Sequence, residues 1–141
     1  MNNFKTLVEW GVIGLLLALS AWAVAVALER WRFYCQVQVN RYGSRVRLET
    51  ELTRRLNVIG SVAANAPYIG LLGTVLGIML TFEALGHSGD MDVKTIMTGL
   101  ALALKATAVG IGVAIPCVGL NNALRRVVRV KLAEFDEARG G

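Results

Sequence analysis

The stretch TGLALALKATAVGIGVAIP (Thr98–Pro116) carries one charge, Lys105, and the nearest other charged residues in the chain are Lys94 and Arg125. Its length suits a helix crossing a hydrocarbon core about 30 Å thick, which takes roughly 20 residues. Working outward, the apolar character extends from Thr95 to Leu124. A second such segment runs from Leu56 to Phe82 and a third from Trp10 to Leu28, both without charge until their flanks. Hydrophobic residues make up 55% of the chain and charged ones 18%, and the charges collect between and around these segments. Three transmembrane helices leave almost nothing for a soluble domain, so the chain reads as one membrane domain over residues 1–141.

The first segment follows Lys5 and contains the small-x-small triplet Ala21-Trp22-Ala23, as signal peptides do. It is longer than a signal-peptide core and is followed by ERWRFYCQ, so a retained span is expected. Lys and Arg decide the orientation. The segment from Glu29 to Leu56 holds seven (Arg30, Arg32, Arg41, Arg45, Arg47, Arg54, Arg55) and the tail after Leu124 holds five (Arg125, Arg126, Arg129, Lys131, Arg139). The first nine residues hold only Lys5, and the turn GHSGDMDVK only Lys94. The positive-inside rule then puts the N-terminus in the periplasm and the basic loop and tail in the cytoplasm.

The net charge of +5 is accounted for by basic flanks that meet lipid headgroups, with no nucleic acid needed. Trp31, Phe33 and Tyr34 after the first span read as an interfacial belt. Cys35 and Cys117 lack metal-ligand spacing and read as reduced thiols. His87 stands in the outer turn without a second ligand. No Ser/His/Asp set, phosphate loop or metal cluster is present in the sequence, so neither an enzyme nor a cofactor is expected. Val37, Val46, Leu48, Leu52 and Leu56 predict helix in the basic loop, and Val127, Val128, Leu132 and Phe135 an amphipathic tail; both extend the second and third spans into the cytoplasm.

The two later spans are rich in small residues: Gly70, Gly73 and Gly77 in one, Gly99, Ala103, Ala106, Gly110 and Ala114 in the other. In lipid, close backbone approach through small residues is the main route to helix association, so these helices should pack tightly. Thr74 and Thr81 are seven residues apart and share a face, while Thr107 sits in the middle of the third span.

The motifs APYIGLLGTVLGIMLTF (Ala66–Phe82) and GLALALKATAVGIGVAIP (Gly99–Pro116) resemble the MotA/TolQ/ExbB family of proton-channel subunits, the ExbB branch most closely. That resemblance implies a homopentamer around the paired helices of an ExbD-like, single-span partner with a membrane aspartate. It also implies proton entry along the inner surface of the pentamer and energy transfer to a TonB-like protein that drives uptake through outer-membrane receptors. Thr74 and Thr107 match inner-surface positions, and Thr81 continues that face. Two departures stand out. The cytoplasmic segments are short, and Leu102 occupies a position where many relatives carry an acid.

Lys105 and Thr107 point to nearly opposite sides of a helix, as do Thr74 and Glu83. A turn centred near residue 90 puts Glu83 opposite Thr98, an axial offset of about 10 Å from Lys105. An ion pair between Glu83 and Lys105, within or between subunits, is the expected compensation for a charge at this depth. Otherwise Lys105 snorkels, binds a backbone carbonyl or faces the partner's aspartate. A TolQ-like subunit for envelope maintenance, a small solute transporter and a purely structural scaffold are the competing functions. The choice between H⁺ and Na⁺ stays open.

Overall fold

The computed structural model describes residues 2–89 and 92–140, and all of its regular structure is helical. Helix α1 covers Asn2–Gln36, α2 Arg45–Leu52, α3 Leu56–Ser88 and α4 Val93–Ala138, with a single 3₁₀ turn at Val39–Arg41. Three of them, α1, α3 and α4, are long and apolar enough to span a membrane. At 1.5 Å per residue, the 46 residues of α4 extend about 70 Å, more than twice a hydrocarbon core. Its basic second half therefore projects well beyond any membrane that its first half crosses.

Helix ends follow local chemistry. Gly89 stops α3 in the left-handed conformation (φ 65°), its N–H donating to the Leu85 carbonyl. Asp92 starts α4, its side chain accepting from the Lys94 N–H and from the Thr95 hydroxyl. Ser44 caps α2 by accepting from the Arg47 N–H.

The buried positions of α1 recur at three and four residues: Glu9, Ile13, Leu16, then Ala23, Ala27, Arg30 and Tyr34. Helix α4 keeps the same period through Gly99, Ala103, Ala106, Gly110, Val113, Cys117, Leu124, Val128 and Phe135. A 3.5-residue repeat holds one seam of each helix against its neighbours over many turns.

What fills the seam changes along the bundle. At the basic end Leu48, Leu52 and Leu56 pack with Tyr34, Leu132 and Phe135. In the membrane-spanning half the contacts narrow to Ala63, Ala66, Ala114 and their neighbours. Large side chains gain from burial where water is the alternative, whereas in lipid the gain comes from close approach. Outward, the spans present large apolar residues such as Trp10, Trp22, Leu71, Phe82, Leu104 and Ile115.

Short α2 is fastened to α1 by polar contacts to its last turn. The Tyr34 hydroxyl donates to the Leu52 carbonyl at 2.6 Å, and Arg30, 3% exposed, donates to the Glu51 carbonyl at 2.6 Å. Arg30 is also paired with Glu29 at 2.6 Å and lies over the Phe33 ring. Tyr34→Phe removes a buried donor and strands the Leu52 carbonyl, so thermal unfolding in detergent should show a loss of about 1–3 kcal/mol. An unchanged midpoint would mean that α2 is not held through this bond.

Candidate functional site

Helices α3 and α4 run antiparallel with their backbones almost touching. A Cβ added at Gly110 would lie 2.6 Å from the Ala66 carbonyl oxygen and 3.0 Å from the Gly70 Cα. One at Gly70 would lie 2.7 Å from the Ala106 carbonyl oxygen. Further out, Gly73 faces Ala106 and Val12 of α1, and Gly77 faces Ala103 and Glu9 of α1. Gly99 is buried on the same seam. These facing pairs place the axis of the hairpin near residue 90.

The seam holds two hydroxyls. Thr74 is 7% exposed, and its Oγ1 is hydrogen-bonded to Oγ1 of Thr107. Thr74 Oγ1 also lies 3.0 Å from the Ala103 carbonyl, and both hydroxyls lie 3.3 Å from the Gly70 carbonyl. Each hydroxyl has one proton to donate. Two arrangements therefore satisfy the cluster: Thr74 donates to Thr107 while Thr107 donates to Gly70, or Thr107 donates to Thr74 while Thr74 donates to Ala103. Interconverting them turns both hydroxyls and reverses the direction of the chain, whose two ends are the Gly70 and Ala103 carbonyls. Thr81, 4% exposed, lies two turns further out on the same face of α3 and donates to the Gly77 carbonyl at 2.8 Å.

Lys105 and Glu83 are exposed, on surfaces away from the threonines. They form no ion pair with each other within the chain. With Gly77 opposite Ala103, Glu83 stands level with residue 97, about 12 Å along the axis from Lys105. Both side chains project outward, so their lean along the helices does not close that gap.

Reading the first span from Trp10 leaves Glu9 in the polar flank, and its role in packing is missed. In the structure Glu9 is 0% exposed. The signal was present: Glu9 stands in the same three-and-four rhythm as Ile13, Leu16 and Ala23. Arg30 occupies an equivalent place at the other end of that seam.

Residues 44–137 match the MotA/TolQ/ExbB proton channel family. The chain is 50% identical over 140 residues to the biopolymer transport protein ExbB of Aquifex aeolicus, covering 99% of this chain and 95% of that one. It is 44% identical over 135 residues to the ExbB of Helicobacter pylori, covering 96% and 91%. It is 42% identical over 85 residues to the Tol-Pal system protein TolQ of Haemophilus influenzae, covering 60% and 36%. The glycine seam and both threonines fall within the matched family region, and the chain is therefore a short ExbB-like member of the MotA/TolQ/ExbB proton channel family.

Proposed function

We propose that this chain is the proton-conducting motor subunit of a TonB-type energy-transducing complex in a bacterial inner membrane. In this reading residues 1–141 form one membrane domain with spans near 10–28, 56–82 and 95–124. The N-terminus is periplasmic, because the basic residues lie on the other side. Five copies surround the helix pair of an ExbD-like partner, whose membrane aspartate takes up the proton, and the resulting movement is passed to a TonB-like protein. The observation that carries the reading is the hydrogen-bonded hydroxyl pair Thr74–Thr107, set in the family's matched region. The exposed charges Lys105 and Glu83 then belong at subunit contacts, where each can find a partner.

The test is the native mass of the protein extracted gently from membranes, alone and after co-expression with a single-span, aspartate-bearing partner. Five copies that capture two partner chains are expected. A monomer or dimer that ignores the partner overturns the reading and favours a solute transporter.

The TolQ likeness supports a second reading, envelope maintenance. Deletion in the native host separates the two. Loss of receptor-driven uptake with an intact envelope marks the TonB-type role, and detergent sensitivity with normal uptake marks the TolQ-like one.

A further inference from the structure

Glu9 is the acidic residue most deeply enclosed among the described residues, with 0% of its surface exposed. It lies seven residues into α1, level with Gly77 of α3 and Ala103 of α4. Those positions are about 10–17 Å inside the outer ends of the three helices. The carboxylate sits over a glycine: a Cβ on Gly77 would come within 2.9 Å of Glu9 Oε1. An alanine at position 77 would thus press on the acid and, at 2.8 Å, on the Ala103 Cβ, so the glycine leaves room for the carboxylate beside α3. Helix α1 reaches the seam at two successive levels, Glu9 at Gly77 and Val12 at Gly73. Thr81 lies one turn outward of Gly77 on α3, and Thr74 nearly one turn inward, both buried. Glu9 also stands on the helix that the matched family region, residues 44–137, does not include.

An acid carried to this depth has a cost that packing alone does not repay, because an apolar residue at the same seam position, such as Ile13 or Leu16, avoids it. Carboxyl groups, unlike the threonine hydroxyls, exchange a proton at ordinary pH. The ionisable groups nearest in level on the surrounding helices are Lys5, one turn earlier on α1, Glu83 on α3 and Lys105 on α4, with His87 on α3 and Lys94 on α4 nearer the helix ends; Glu83, Lys105, His87 and Lys94 are exposed.

We infer that Glu9 is a proton-binding site of this chain, a carboxyl group contributed by α1 that loads and releases a proton at the outer end of the Thr74–Thr107 hydroxyl pair. A proton arriving from the outer side binds the carboxylate to give the neutral acid, and leaves it as the same proton toward the seam. Glu9's part in conduction rests on the motor reading above, whereas its binding of a proton does not.

Both parts are tested on the full chain in its native complex. A hydrophobic carbodiimide attaches covalently to protonated carboxyl groups in apolar surroundings, and peptide mass spectrometry locates the adduct. The expected result is an adduct on Glu9 that falls away as pH rises, absent in Glu9→Gln. Proton flux in vesicles should drop roughly a hundred-fold in Glu9→Gln, as when a positioned proton carrier is lost, with Glu9→Asp retaining part of it. Gln keeps the volume and hydrogen-bonding capacity, so a purely structural role for Glu9 predicts that Glu9→Gln conducts like the parent, and that outcome overturns the inference. Absence of a Glu9 adduct across the pH series overturns it also, independently of how any variant folds. If the parent complex passes no protons yet Glu9 shows the pH-dependent adduct, the motor reading fails and the proton site stands.

Discussion

Gly110→Val is expected to destroy the packed hairpin of α3 and α4, and Gly110→Ala to weaken it by about 1–3 kcal/mol, the range for overfilling a tight contact. The added Cβ would meet the Ala66 carbonyl oxygen at 2.6 Å and the Gly70 Cα at 3.0 Å. Both are backbone atoms, so no side chain can swing aside. The helices must separate along the seam, and the Thr74–Thr107 contact is lost with them. Gly70→Ala should behave alike, since its Cβ would meet the Ala106 carbonyl at 2.7 Å.

The controls are Gly112→Ala and Gly119→Ala, where nothing lies within 4 Å of the added atom. There the better helix propensity of alanine offsets any cost, and stability should change by less than about 1 kcal/mol. Thermal unfolding in mild detergent, read by circular dichroism and by the fraction recovered in size-exclusion chromatography, separates the two classes. Equal losses at Gly110 and Gly112 would show that contact with α3 does not set the cost.

Thr107→Val and Thr74→Val should each lower proton flux by roughly ten-fold or more, the equivalent of about 1.4 kcal/mol on the barrier. Valine keeps the branched shape of threonine and removes the hydroxyl, so the seam stays filled while the hydroxyl chain between Ala103 and Gly70 is cut. The loss of stability should stay near 1 kcal/mol, because the backbone carbonyls involved keep their helical bonds. Thr107→Ser, which retains the hydroxyl, should conduct well. Flux measured by a pH-sensitive dye in vesicles, with the partner present, decides the matter. Parental flux in both valine variants would leave the hydroxyl pair a packing feature only, and an equal loss in Thr107→Ser would trace the effect to shape rather than to the proton.

The residues differ in how legible they were. Hydropathy, helix length and the spacing of Gly70, Gly73, Gly77 and Gly110 are local properties of the chain, and they sufficed for three long helices with small-residue faces. The same spacing put Thr74 and Thr81 on one face of α3, both of which are buried. The direct meeting of Thr74 with Thr107 was not legible, because it depends on the register between α3 and α4, and backbone-to-backbone contacts set that register. Neither was the failure of Glu83 to reach Lys105 within the chain, since helical periodicity gives an angle about one axis and not the distance between two.

By itself, then, the sequence determined an all-helical membrane chain, the location of its basic ends and its likeness to a proton-channel family, because apolar length, charge placement and motif are written along one dimension. Only the tertiary structure decided what fills the seam. Glu9 looks like part of a polar N-terminal flank until α1 is laid across Gly77 and Ala103, and its carboxylate becomes enclosed because a glycine on another helix leaves room for it.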